Sequence, residues 1–138
     1  MNAPSEDIKT MLVADSSLGL IFSTTGGGNL FVGKEPANPE NCVTIFDTPG
    51  YPPYLGLAGE VGYEYPSIQI RVRNRKYING WNLIEKIKNS LHGRAQDTLC
   101  SPTVYTVIYC SSGPALLDWD DNGNVRLIVN FNLQRRTA

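Results

Sequence analysis

Between residues 67 and 93 the hydrophobic period of the chain changes from two to about 3.6, which predicts one strand leading into one helix. In the strand half, Ile68, Ile70 and Val72 alternate with Gln69, Arg71, Arg73 and Arg75. Successive strand side chains face opposite sides of a sheet, so one face is apolar and the other basic. In the helix half, Ile78, Trp81, Ile84, Ile87 and Leu91 recur at helical spacing as one apolar stripe, with Asn82, Glu85, Lys86 and Asn89 outside it. Gly93, directly after His92, fits a helix C-cap, because glycine enters the left-handed conformation without a Cβ clash.

The remaining elements follow from the same reading. Ser5 stands before Ile8, Met11 and Leu12 with Glu6 and Asp7 beside it, a pattern for a capped first helix that ends between residues 16 and 19. Residues 23–28, with three adjacent glycines, predict a flexible turn or a disordered loop. A short strand is expected at 29–32 and a second at 42–46, stopped by the turn Thr48-Pro49-Gly50, with the stretch 35–40 irregular around Pro36 and Pro39. Residues 51–65, rich in Tyr, Gly and Pro and without a period, read as an exposed excursion. Residues 94–102 read as a loop, and 104–110 as a strand covered on both faces that Ser111-Ser112-Gly113-Pro114 bends.

The last element is a hairpin. Residues 115–121 and 124–135 flank Asn122-Gly123, a preferred centre for a two-residue type I′ turn. That turn sets Trp119 opposite Arg126, Leu117 opposite Ile128 and Ala115 opposite Asn130. It leaves Val125, Leu127, Val129, Phe131 and Leu133 as one apolar face. The succession of helix, short strands, helix and two long strands lacks regular βαβ alternation. The expected class is α+β, one domain over residues 1–138, with a single mostly antiparallel sheet packed against two helices.

Composition narrows the function. At 138 residues with a net charge of −1, the chain has length for one core and no global pull toward nucleic acid or an anionic membrane. No stretch approaches the roughly 20 apolar residues that span a bilayer, and the N-terminus lacks a secretion pattern, so synthesis in the cytoplasm and no membrane partner are expected. Cys42, Cys100 and Cys110, odd in number and without a CxxC pair, fit reduced thiols.

Three chemical patterns nearly form. Residues 28–34 have the spacing GxxxxGK of a phosphate loop, and 47–50 resemble the DxxG of a nucleotide switch. Glu35 stands where a magnesium-binding hydroxyl belongs, Leu30-Phe31-Val32 favours a strand, and Pro36 and Pro39 prevent a helix from opening there. Only 12 residues separate Lys34 from Asp47, too few for the usual intervening helix and strand. Asp118, Asp120, Asn122 and Gly123 open like a calcium loop, but its twelfth position is Val129 in a strong strand. His92, the single histidine, has a sufficient place at a helix C-terminus, where its ring can satisfy the last carbonyls and its charged form suits the dipole. No catalytic, cofactor or metal residues emerge. The basic row of Arg71, Arg73 and Arg75, not interleaved with aromatics, fits a subunit contact better than a polynucleotide groove.

Taken together, NLFVGKEP (29–36), FDTPG (46–50), PSIQIRVRNRKY (66–77), the Trp81 helix ending LHG (91–93), SGP (112–114), LDWDDNG (117–123) and VNFNLQR (129–135) resemble tailed-phage minor capsid proteins grouped with tail terminators. The resemblance covers most of the chain, the glycine run 26–28 least. It implies a non-enzymatic virion protein of the tail or neck, assembled in the host cytoplasm, commonly as a homo-oligomeric hexamer ring. That ring stops tube polymerisation and provides the surface for head-tail joining. The partners it implies are the tail tube protein, a head completion or connector protein, and DNA passing through the lumen without sequence-specific binding. The expected interface residues are Tyr51, Tyr54, Tyr63 and Tyr65 in the excursion and Arg71, Arg73 and Arg75 on the strand. A head-side completion protein is the alternative within the same context. A nucleotide-binding enzyme using residues 28–34 and 47–50 is the alternative from another class.

Overall fold

The computed structural model describes residues 1–53 and 62–137. Its elements are helix α1 (Pro4–Ala14), a 3-10 turn (Ser16–Leu18), strands β1 (Leu30–Val32), β2 (Cys42–Tyr51) and β3 (Tyr65–Asn74), helix α2 (Tyr77–Leu91), and strands β4 (Arg94–Asp97), β5 (Thr103–Trp119) and β6 (Val125–Thr137). One six-stranded sheet has the order β1-β2-β3-β6-β5-β4, with β1 parallel to β2 and every other pair antiparallel. The α+β class with a C-terminal hairpin is therefore observed.

Alternation builds the core. Ile68, Ile70 and Val72 of β3 and Val125, Leu127, Val129, Phe131 and Leu133 of β6 all point to one face, and all are buried. Ile8, Met11 and Leu12 of α1 and Ile84, Ile87 and Leu91 of α2 join the same cluster. Burying a side chain of this size contributes roughly 1.5–3 kcal/mol, so the shared face dominates the stability of the fold. Asp15, just past α1, accepts from the Ser90 hydroxyl at 2.7 Å and fastens the first helix to the end of the second. Hydrogen bonds from Ser17 and Ser90 hold its carboxyl below the usual carboxylate range.

Several local expectations are corrected. Ser5 is not the cap of α1. Its N–H and hydroxyl donate instead to the Asp47 carboxylate at 2.9 and 2.7 Å, so the helix start is satisfied by a side chain from β2. Strand β2 does not stop at Thr48-Pro49-Gly50 but continues to Tyr51, with its register against β3 shifting between Thr48 and Tyr51. A methyl group on Gly50 would run into the Tyr65 carbonyl, so the two strands approach there as only glycine permits. Residues 94–97, read as loop, form the edge strand β4. In α2 the stripe is shorter than its period implies, because Ile78 at its first turn is 62% exposed. Gly80 is buried instead, close against Leu127 and Asn74.

The hairpin register also differs from the type I′ expectation. Trp119 pairs with Val125, Asp118 with Arg126, Leu116 with Leu127 and Ala115 with Ile128. The cause is Asp120. Its carboxylate accepts from the N–H groups of Asn122 and Asn124 at 2.9 and 2.8 Å, which stabilises a longer loop. Gly123 then adopts φ +79° and donates to the Asp120 carbonyl, the pattern of a three-residue loop with a bulge. Those bonds, led by the one from the Asn124 N–H, hold the Asp120 carboxyl below its ordinary range. Further register shifts at Cys110/Ser112, Ser112/Ala115 and Leu116/Asp118 follow along β5.

Candidate functional site

The three arginines expected to form one basic face have three different environments. Arg73 is buried. Its guanidinium donates to the carbonyls of Glu40 (2.9 Å), Pro39 (2.8 Å) and Ala37 (3.3 Å) and lies 3.5 Å from the Glu35 carboxylate. Glu35 also takes Arg126 at 3.1 Å. The irregular segment 33–41 is thus drawn onto the sheet by two arginines, and Arg73 has no solvent face to offer. Arg75 lies beyond the end of β3, exposed, and pairs with Glu40 at 3.2 Å. Arg71 is half-buried, its guanidinium 4.9 Å from the centre of the Phe46 ring, and it has no carboxylate partner among the described residues.

Around Arg71 the outer face of the sheet is neutral and polar. Ser67 donates to Asn132 at 2.7 Å, Gln69 to Asn130 at 3.2 Å, Asn130 to Ser112 at 2.8 Å and Asn132 to the Tyr109 hydroxyl at 3.2 Å. These cross-strand pairs link β3, β6 and β5 into a carpet of amides and hydroxyls.

A second charged cluster closes the opposite end of the sheet. Arg135, buried, donates to the Asn2 carbonyl at 2.8 Å and the Tyr105 hydroxyl at 3.2 Å, and pairs with Glu64 at 3.0 Å. Tyr105 in turn donates to Asp7 at 2.7 Å. Burial, then the neighbouring Asp7 carboxylate, pushes the Tyr105 phenol well above its usual range. Glu64 and Arg135 also exchange backbone hydrogen bonds, so the excursion that starts after β2 is pinned where it returns. Of the tyrosines expected at an interface, Tyr51 and Tyr63 are exposed and Tyr65 is half-buried at the start of β3, while Tyr54 lies outside the described residues. Tyr51, Tyr65, Asp47, Glu64 and Arg135 line one cleft of about 360 Å³.

The residues of the nucleotide patterns are otherwise engaged. Residues 30–32 are strand β1, Glu35 is held by arginines, and Asp47 is committed to Ser5. The calcium-like acids serve the hairpin, Asp118 pairing with Arg126 at 2.7 Å and Asp120 closing the turn. His92 does not satisfy helix carbonyls. Its Nδ1 accepts from the Cys110 N–H at 2.9 Å, tying the end of α2 to β5 and leaving that nitrogen without a proton in the bond. All three cysteines are free thiols. Burial raises Cys42 to about 11 and Cys100 to about 12.

One surface was not anticipated from the sequence. Trp119 is 53% exposed, as are Leu116 and Leu117 earlier in β5 and Tyr77 and Ile78 in the first turn of α2. Tyr77 stacks between Trp81 and Trp119, each ring centre 6.3 Å away. The signal was present in the run Ala-Leu-Leu-Asp-Trp at 115–119, which has more apolar positions than one buried strand face requires.

Comparison with known proteins agrees with this picture. No curated protein matches the chain in sequence. A chain of the solved structure described as "Virion of native gene transfer agent (GTA) particle" has the same fold. The TM-score is 0.68 at 11% identity, over 97% of this chain and 95% of that one. The family model described as "Bacteriophage tail terminator protein" matches residues 8–137. With nearly its whole length inside that match, the chain belongs to the bacteriophage tail terminator family and is a structural protein of the phage tail.

Proposed function

We propose that this protein caps the head-proximal end of the tail tube as a ring, commonly of six copies, which ends tube growth and offers the surface on which the head is joined. The observation that carries the reading is the family match across residues 8–137. A protein with this role works by shape and surface charge. One face must fit the last tube ring and the opposite face must refuse another, which needs heterologous contacts that close into a ring. The engagement of every acid in the nucleotide and calcium patterns by the fold itself favours such a role over chemistry.

Within this reading Arg71 and Arg75 are the subunit-contact arginines, and Arg73 acts from beneath by shaping the segment 33–41. Tyr51 and Tyr63, exposed where the excursion leaves and returns, meet the tube, the lumen or the head connector, with Tyr65 next to them at the start of β3.

The test is tube polymerisation from purified tube protein with and without this chain, read by electron microscopy and by mass. Tubes that stop at a ring of this protein are expected, and tubes that elongate equally in its presence refute the capping role. Recovery of the protein on separated heads and not on tails would place it on the head side instead.

A further inference from the structure

Asn74 interrupts the inward row of β3. Ile68, Ile70 and Val72 precede it at strand spacing and are fully buried, and Asn74, next in that row, is only 8% exposed. A buried amide lowers stability unless both of its ends are bonded. One end is: Asn74 Oδ1 accepts from the Lys76 N–H at 3.0 Å. Because a backbone N–H can only donate, the other end of the amide is fixed as the NH2 group. That nitrogen has no acceptor among the described residues, and it is not sealed off from solvent. It opens on a cavity of about 480 Å³ lined by Asn41, Asn74, Arg75, Lys76 and Asn79.

The same cavity collects further donors. Asn41 repeats the arrangement of Asn74, its Oδ1 accepting from the Arg75 N–H at 2.9 Å and its NH2 group left without an acceptor among the described residues. Helix α2 begins here, with Lys76 as its N-cap residue, no capping side chain and no acid in its first turn. The Gly80 N–H bonds to the Lys76 carbonyl, so the N–H groups of Tyr77, Ile78 and Asn79 before it have no acceptor among the described residues. Arg75 is offset by Glu40 at 3.2 Å, whereas Lys76 has no carboxylate partner among the described residues and supplies uncompensated charge. Water satisfies an ordinary exposed helix start. The two asparagines point further. Aspartate at either position would accept from the same backbone N–H, would suit the helix dipole better, and would bring no unpaired donor. Asparagine keeps negative charge out of the cavity and adds NH2 groups to it, which is the requirement of a site that receives an anion.

We propose that this cavity binds a phosphate group. Its oxygens accept from the first-turn N–H groups of α2 and from the amide nitrogens of Asn41 and Asn74, with Lys76 as the counter-charge. A phosphate presents more acceptor oxygens than a carboxylate, which suits donors converging from the start of β2, the end of β3 and the helix. A free phosphate ion and a backbone phosphodiester of DNA share this chemistry. The inference goes beyond the capping role and does not depend on it.

The experiment follows the backbone amide signals of the full chain by NMR as inorganic phosphate is added, against sodium chloride of equal ionic strength. The signals of Tyr77, Ile78 and Asn79 should move and saturate in phosphate alone. Asn74→Asp and Asn41→Asp keep the oxygen that accepts from the backbone and replace the donor nitrogen with negative charge. Each variant should melt within a few degrees of the wild type and bind phosphate at least tenfold more weakly. Asn41 is exposed, so its variant tests the site even where Asn74→Asp disturbs the fold. A short DNA duplex separates the two sources. Movement of the same signals at a tenfold lower concentration of phosphate groups identifies a phosphodiester, and no movement identifies the free ion. Signals that move equally in chloride, that fail to saturate, or that respond in both variants as in the wild type overturn the proposal.

Discussion

Two regions of the molecule invert their expected roles. The outward row of β3 carries Arg71 and Arg73 and leads into Arg75, yet Arg73 is turned into the fold and holds a loop of carbonyls. The outer half of β5 is among the most apolar, yet it stands in solvent beside α2. Alternation along a strand states which side chains share a face. It does not state which face another segment covers. Cover is decided by residues far away in the chain: Glu35 and the carbonyls of residues 37–40 for Arg73, and the early end of β4 for the β5 edge.

The contrast can be broken most severely at the closed side. Replacing Arg135 with Ala leaves Asp7 and Tyr105 buried without their cation, and the loss of one partner from such a network costs about 3–5 kcal/mol. Urea unfolding should show that loss, and an unchanged midpoint would contradict the network described. Arg73→Glu comes next. It sets like charge against Glu35 and abandons three carbonyl acceptors, with a cost of about 2–4 kcal/mol and faster amide exchange across residues 33–41. The variant should therefore lose stability as an isolated chain, before any assembly step. A stable Arg73→Glu monomer that fails only to assemble would restore Arg73 to the outer surface.

Thiol chemistry sharpens the same comparison. Cys42 lies in the row of Arg73 and Cys100 donates to the Asp7 carbonyl, whereas Cys110 sits at the start of the open edge. With Cys42 at about 11 and Cys100 at about 12, they carry on the order of a hundredfold and a thousandfold less thiolate at pH 8 than an ordinary thiol. Alkylation followed by peptide mass spectrometry should modify Cys110 first, and equal rates at all three would break the distinction. The folded state retains these two protons longer than the unfolded state. Stability is therefore expected to decline as pH rises from about 9 toward 11.

At the hairpin end the dependence is on acid. The Asp120 carboxyl is depressed in the folded chain, so its contribution is complete above its unfolded value near 3.8 and is lost as pH falls through the folded one. Protection of the Asn122 and Asn124 amides, taken relative to the intrinsic exchange rate at each pH, should fall below about pH 4 and be flat above about pH 5. The smallest effect belongs to the open edge itself. Leu117→Ser is expected to change stability by no more than about 0.5 kcal/mol, because an exposed side chain has little packing to lose. A larger loss in the isolated protein would mean that Leu117 is already covered.

Most of the core was legible from spacing. The β6 face and the inward residues of β3 and α2 follow from periods of two and 3.6, which are properties of the backbone and need no knowledge of the neighbours. The hairpin was legible in place but not in register. Asn122-Gly123 marks the turn, and Asp120 then competes for the same amides and lengthens the loop by a residue. The candidate site was less legible. Arg71 and Arg75 stand outward as read, while Arg73, two residues from each, does not, because its burial depends on a segment that sequence spacing cannot bring to it.

The division lies between local and distant causes. The residue pattern by itself determined the α+β class, the apolar sides of the main strands and the second helix. The family motifs, spread over most of the chain, identified the tail terminator family. Tertiary structure decided where the open surface lies. Whether an arginine or a leucine meets solvent depends on which remote segment packs over it. That contact is set by the shared core and by a few long-range bonds, such as Asp47 to Ser5, Glu35 to Arg73 and His92 to Cys110. The partners of these bonds lie 42, 38 and 18 residues apart, beyond the few residues over which a strand or helix period is read. The exposed end of β5 is the consequence, with Leu116, Leu117 and Trp119 left in solvent among the described residues.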